Sequence, residues 1–184
     1  PAGTTSLVLG TSSGIHAWHN DYYIRRLRVG KNESIYTYLK AYHPSLVADE
    51  YFRPHDTAVI EIPQSAPRGS IVRTESAFDL LKRVKQVANE WVKPGHRKGS
   101  NTHNVSATIS LKEGEWDKAG KWMWDNRDCY NGLSVLPFDG GTYTQAPFED
   151  ITKEEFEKLV SKLHEVNLEH VNEETDNTDL SGEL

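Results

Sequence analysis

The sequence contains a single cysteine, Cys129, among its 184 residues. One thiol excludes an internal disulfide and a cysteine-rich zinc site, and it is typical of proteins in a reducing compartment. The sequence also has no apolar run of transmembrane length and no signal-peptide pattern. We therefore expect a cytoplasmic protein with no membrane partner.

Positive charge is also scarce, with 21 Lys and Arg against 27 Asp and Glu and a net charge of -6. Six of the acidic residues lie in 169–184, which has no Lys or Arg. Because these six equal the whole excess, the remaining body is formally neutral and lacks the basic surface that nucleic acid requires. We expect no nucleic-acid partner and an acidic, flexible tail over 169–184.

Methionine occurs once, as Met123, and the chain opens directly on Pro1. This abrupt opening on a candidate functional loop predicts a piece of a longer protein. Removal of an initiator methionine before Pro1 is the alternative.

Hydrophobic periodicity predicts an α/β fold. Strands are expected near 22–29, 57–62, 104–111 and 133–137. Helices are expected near 34–42, 75–91, 115–125 and 152–166. The clearest helix carries a stripe at helical spacing formed by Phe78, Leu81, Val84, Ala88 and Trp91. The order of elements over 104–166 predicts one α/β unit.

A glycine followed by three hydroxyl residues stands near the start of the chain, as Gly3-Thr4-Thr5-Ser6. A phosphate needs several converging donors, and free backbone N–H groups at a helix start supply them, with hydroxyls adding more. The stretch lacks the Gly-Lys pair of a Walker loop. An ordinary helix N-cap before Leu7 is the alternative, and composition alone favours it.

Two clusters of basic or metal-binding side chains have competing interpretations. Structural ion pairs are favoured over phosphate binding for Arg25, Arg26, Arg28 and Lys31. His16 and His19 are three residues apart, but no matching ligands follow at a suitable spacing, so a structural role is favoured over metal binding.

Aromatic residues and the lone thiol also have two interpretations each. Core packing is favoured over a stacking platform for the group Trp116, Trp122, Met123 and Trp124, above all for Trp116 and Met123. Cys129 has no nearby His–carboxylate arrangement and is expected to be an ordinary thiol.

Six segments together resemble adenosylcobalamin-dependent ribonucleotide reductases, in particular the monomeric, triphosphate-reducing branch. They are residues 1–6, 11–16, 22–26, 103–108, 133–141 and 143–149. The resemblance spans about residues 1–168, and the opening segment is its most specific part.

This resemblance implies a fold made of the late strands and helices of a ten-stranded α/β barrel, followed by a C-terminal α/β extension. Residues 1–30 would end the catalytic barrel and carry the phosphate-binding loop. Residues 31–168 would form the C-terminal α/β region, and 169–184 the tail, which resembles the linker that precedes a paired-cysteine terminus.

The resemblance also implies a function, the reduction of ribonucleotides by thiyl-radical chemistry. It implies a ribonucleotide substrate, a thioredoxin-like reductant, and an adenosylcobalamin site in the upstream part of the same enzyme. No catalytic residue or metal site carries over, so the isolated fragment should be inactive. The residues that do carry over match the substrate-phosphate loop: Ala2, Gly3, Thr4, Thr5 and Ser6. The iron-dependent branch has Ser-Glu where Ala2 and Gly3 stand, so Gly3 fits the cobalamin-dependent branch better.

The alternative from another functional class is a free-standing α/β module that binds phosphate or a partner without catalysis. A genuine start codon just before Pro1 would favour it. A longer upstream reading frame that contains the radical cysteine would favour the reductase.

Overall fold

The computed structural model describes residues 3–138 and 143–171. By its internal contacts the chain divides into two compact units. The first unit is Pro1–Asp21 with Ala66–Gly140, and the second is Tyr22–Ser65 with Gly141–Leu184. Both combine helices with strands, which confirms the predicted mixed α/β class.

The first unit contains four helices and a two-stranded sheet among its described residues. The helices are α1 (Gly3–Val8), α3 (Ala77–Val87), α4 (Lys93–Gly95) and α5 (Trp116–Asp125), with a π-helical turn at Ala88–Val92 between α3 and α4. Strands β4 (Thr108–Leu111) and β5 (Ser134–Pro137) pair in parallel across α5. This is a βαβ unit, because parallel neighbours need a crossover.

The core of the first unit lies between α3, β4 and α5. Its largest fully buried side chains are Leu81, Val84, Ile109 and Leu111. Helix α3 begins where the Ser76 side chain accepts a hydrogen bond from the Asp79 N–H at 3.2 Å, an N-cap that satisfies one free donor. The apolar face that α3 buries therefore starts at a defined residue.

The second unit is an antiparallel sheet in the order β2-β3-β1-β6 with two helices. Its strands are β1 (Tyr22–Gly30), β2 (Val47–Asp49), β3 (Thr57–Ser65) and β6 (Phe148–Asp150), and its helices are α2 (Ser34–Tyr42) and α6 (Lys153–Val160). The central pair places Leu27 opposite Ile60. Ile60 packs in a cluster with Tyr38, Leu39 and Leu46.

Several elements confirm the predicted positions, and others differ. The helix at 34–42 and the strands at 22–29 and 57–62 are present. The strand expected at 104–111 begins only at Thr108, because its partner β5 starts at Ser134. The helix expected at 152–166 ends at Val160. Strands β2 and β6, three residues each, were not predicted.

Three packing predictions were wrong. Trp91 is 79% exposed, because the π-helical turn rotates it off the stripe that α3 buries. Trp116, the first residue of α5, is 46% exposed, whereas Ala119 in the same helix is buried. Residues 104–166 do not form one unit, since α6 contacts β1 and β3 of the second unit.

The predicted tail at 169–184 lies almost wholly outside the described residues, which end with a 3₁₀ turn at Leu168–His170 and Val171. The boundaries at residues 30 and 168 describe roles in a parent barrel and remain predictions. Among the described helices, none is both long and apolar enough to cross a membrane.

Candidate functional site

The predicted phosphate loop coincides with helix α1. Gly3, Thr4, Thr5 and Ser6 form the first four of its six residues, and Ala2 lies outside the described residues. Thr5 is exposed, whereas Ser6 is 7% exposed. The backbone therefore places the predicted donors at the start of a helix, as expected.

Helix α1 is ended by a glycine. Gly10 has φ +62°, the left-handed conformation that favours glycine, and the Thr11 N–H donates to the Ser6 carbonyl at 2.9 Å. This is the bond that defines a Schellman motif, in which a backbone N–H just past the helix end donates to a carbonyl of the last helical turn. The chain thus reverses direction immediately after the candidate loop.

His16 joins the segment after α1 to strand β4. Its Nδ1 lies 2.7 Å from the Ser13 carbonyl oxygen, and its Nε2 lies 3.1 Å from the Thr108 backbone N. Because both ring nitrogens are occupied, His16 is not available as a metal ligand. The part of the chain that the structure describes contains no group of three or more His, Cys, Asp or Glu side chains able to hold a metal.

Arg83 attaches the same segment to α3. Its guanidinium donates to both carboxylate oxygens of Glu75, at 3.1 and 2.6 Å, and to the Ile15 carbonyl at 3.3 Å. The Glu75 hydrogen bonds, although burial opposes them, raise the pKa of Arg83 above its usual value. Helical periodicity does not reveal this contact, since Glu75 lies before α3, which begins at Ala77.

Arg26, Arg28 and Lys31 of the basic cluster form structural ion pairs, which confirms the favoured interpretation for these three, whereas the Arg25 guanidinium lies 5.4 Å from the centroid of the Phe148 ring. Arg26 has a side chain only 9% exposed and pairs with Glu61 at 2.7 Å and with Glu149. Burial alone would lower the pKa of Arg26, but the hydrogen bonds to Glu61 and Glu149 outweigh it and raise the pKa. Lys31 pairs with Asp49 at 2.6 Å.

Arg28 pairs with a buried carboxylate, Glu50, at 3.3 Å. Glu50 also accepts the backbone N–H groups of Phe52 and Arg53, at 2.7 and 2.8 Å. Burial would raise the pKa of Glu50, but these three donors together hold it below its usual value. Arg28 therefore helps to hold the Glu50 carboxylate that binds the turn at Phe52 and Arg53.

A residue that sequence reasoning missed is Gln145, which adopts φ +54°. Its side-chain amide accepts from the Tyr51 N–H at 2.9 Å and donates to the Asp49 carbonyl at 2.8 Å. Two such bonds offset the cost of a left-handed non-glycine residue. No local sequence signal marks this role, since the partners are more than ninety residues away.

The aromatic group and the thiol show no catalytic arrangement. Trp122 packs against the core of the first unit, whereas Trp124 is 70% exposed with Arg127 over its ring at 4.9 Å. Cys129 is half-buried, and its sulfur lies 4.0 Å from the Asn89 side-chain oxygen.

The described residues do not fit a cobalamin site. Two large grooves lie within single units, one of about 740 Å³ beside Trp91 and one of about 860 Å³ beside Tyr42. Volumes of this size suit drug-sized ligands, typically about 300–1,000 Å³, and both grooves are open to solvent. A whole adenosylcobalamin molecule is larger than either groove.

Comparison with known proteins gives one consistent result. The chain is 31% identical over 174 residues to an adenosylcobalamin-dependent ribonucleoside-triphosphate reductase of Euglena gracilis, covering 90% of this chain and 22% of the relative. It is 29% identical over 168 residues to the enzyme of that name from Lactobacillus delbrueckii subsp. bulgaricus, covering 89% and 21%. No protein-family model matches the chain.

The fold comparison agrees. The crystal structure of a B12-dependent, class II ribonucleotide reductase superposes with a TM-score of 0.72 and 25% identity, over 93% of this chain and 23% of that one. The chain thus spans about a fifth of the length of the relatives it matches. By sequence and by fold, it is homologous to one segment of the adenosylcobalamin-dependent, class II ribonucleotide reductases.

Proposed function

We propose that this chain acts as the C-terminal part of an adenosylcobalamin-dependent ribonucleoside-triphosphate reductase, which supplies deoxyribonucleotides for DNA synthesis. The observation that carries the proposal is the 31% identity over 174 residues to a reductase of that name. The class II fold match, with a TM-score of 0.72, also supports it.

The chain on its own should be inactive. The family reaction uses a radical cysteine and two further reducing cysteines, and this chain has only Cys129. We therefore assign those cysteines, the adenosylcobalamin site and contact with a thioredoxin-like reductant to other parts of the parent. A reaction that depends on reduced thiols suits the cytoplasm, where we place the parent.

Within the parent we propose that Ala2, Gly3, Thr4, Thr5 and Ser6 bind the substrate phosphates. The helical backbone of α1 supports this role, because the first N–H groups of a helix have no partner within it and attract anions. The exposed side chain of Thr5 adds a hydroxyl that a ligand can reach.

Steady-state kinetics on the intact reductase tests the assignment. Removing a hydroxyl donor to a charged phosphate costs about 1.5–3 kcal/mol, so Thr4→Ala with Thr5→Ala should raise the substrate KM roughly ten- to a hundredfold. Thr11→Ala is the matched control, because Thr11 is also exposed but lies past the end of α1. Unchanged KM and kcat in the double variant would leave these residues as an ordinary first turn of α1.

A further inference from the structure

Helix α1 is too short to define its own position. It has six residues, fewer than an isolated helix needs to be stable in water. Val8 and Leu9, at its end, are 82% and 68% exposed. Among the α1 side chains that the structure describes, only Ser6 is buried. The backbone segment that follows α1 therefore contributes to holding the helix in its orientation.

That segment is fixed at two successive residues. Arg83 of α3 donates to the Ile15 carbonyl at 3.3 Å. The next residue, His16, is bound to Thr108, the first residue of β4, through a 3.1 Å contact between its Nε2 and the Thr108 N–H. A helix and a strand of the first unit thus hold adjacent positions of one short segment.

The two partners of His16 determine its tautomer. The Ser13 carbonyl oxygen can only accept, so Nδ1 carries the proton; the Thr108 N–H can only donate, so Nε2 does not. Ala107 and Leu111 accept from β5 through the Ser134 and Phe138 N–H groups. Backbone groups of successive strand residues point to opposite edges, and Thr108 directly follows Ala107, so the Thr108 N–H faces away from β5. His16 satisfies a donor that the sheet does not.

We propose that His16 is a positioning residue for the phosphate loop. By accepting from Thr108 it fixes the segment after α1 to β4, and so fixes the donors of α1 without touching the substrate. This inference rests on the proposed function, because it concerns the same loop.

Two isosteric variants separate the two hydrogen bonds. Asparagine places an amide N–H near the position of Nδ1, so His16→Asn keeps the bond to Ser13 and loses the bond to Thr108. Glutamine places an amide oxygen near the position of Nε2, so His16→Gln keeps an acceptor for Thr108. In the intact reductase His16→Asn should raise KM about three- to tenfold, with kcat within about twofold. His16→Gln should stay within about twofold of wild type in both constants.

The control variants keep the possible failures distinct. His103→Asn, at an exposed histidine of the same unit, should leave KM unchanged. If Thr4→Ala with Thr5→Ala has no effect on KM, the phosphate role itself is wrong. If that double variant raises KM but His16→Asn does not, or if His16→Asn and His16→Gln raise it equally, positioning through Thr108 is wrong.

A spectroscopic measurement on this chain needs no activity. Nitrogen-15 NMR of the His16 ring should show a protonated Nδ1 and an unprotonated Nε2. The opposite tautomer would overturn the inference, even if a His16 variant failed to fold.

Discussion

The guanidinium of Arg83 binds the carboxylate of Glu75 in two parallel hydrogen bonds, of 3.1 and 2.6 Å. Both side chains are largely buried, with 24% and 13% of their side-chain surface exposed. A paired, bidentate contact of this kind is stronger than an ordinary surface ion pair. Its third bond, to the Ile15 carbonyl, makes it the link between α3 and the segment that follows α1.

Arg83→Ala should therefore destabilise the chain by about 2–4 kcal/mol, because it leaves a largely buried Glu75 carboxylate without its partner. Urea denaturation measures the change. Lys82→Ala is the matched control, since the Lys82–Asp79 pair is 73% and 54% exposed and such pairs contribute about 0–1 kcal/mol. Equal losses in the two variants would show that Arg83 is no more than a surface charge.

Glu50 should make stability depend on pH in acid. Its folded pKa lies below the ordinary value of 4.5, because the N–H groups of Arg53 and Phe52 and the Arg28 guanidinium together outweigh the opposing effect of burial. A depressed folded pKa stabilises the fold above about 4.5, and this stabilisation is lost as the pH falls through the folded value. The destabilisation caused by Glu50→Gln, measured by urea midpoints, should therefore be largest near pH 7 and shrink below pH 4.5. Glu113→Gln, at an exposed site, is the matched control. A Glu50→Gln difference that stays constant with pH would contradict the assignment.

Two glycines should respond to alanine with opposite signs. Gly10 has φ +62°, and no atom lies within 4 Å of the position that an added Cβ would take, so Gly10→Ala meets backbone strain alone. A left-handed conformation costs an alanine about 1–2 kcal/mol. Gly120 lies in α5, also with no atom within 4 Å, and Gly120→Ala should stabilise the chain by up to about 1 kcal/mol. Thermal unfolding of both variants checks the pair, and a stabilising Gly10→Ala would refute the Schellman ending of α1.

Local sequence signals were sufficient for some elements and failed where distant residues decide the outcome. The helix at 34–42 and the long strands β1 and β3 follow from their own periodicity. Trp91 matches the stripe of α3 in sequence, but a π-helical turn moves it into solvent, and periodicity does not encode that turn. Strands β2 and β6 exist because β3 and β1 pair with them, so their three residues carry no signal alone.

In the candidate site, too, the sequence predicts the features that depend on neighbouring residues and misses those that depend on distant ones. The composition Gly3-Thr4-Thr5-Ser6 predicts a helix start, and α1 begins there. The bond between His16 and Thr108 joins residues 92 positions apart, so spacing alone gave only a weak metal-site alternative for His16. Arg26 forms ion pairs, as the sequence predicts. Its partners Glu61 and Glu149 come from two other strands, so the sequence does not identify them.

Cys129 should be dispensable for catalysis in the parent reductase. It lies half-buried at the edge of the first unit's core, and its sulfur is 4.0 Å from the Asn89 side-chain oxygen. No cation activates the thiol among the contacts that the structure describes, whereas a reactive cysteine needs a stabilised thiolate. Cys129→Ser should therefore leave kcat within about twofold, since removing an uninvolved side chain does not alter transition-state binding. Cys129→Ala serves as the control for any effect of the serine hydroxyl on packing. Loss of kcat in both variants, with KM and the unfolding temperature unchanged, would instead make Cys129 one of the redox-active thiols and contradict their assignment to the rest of the parent.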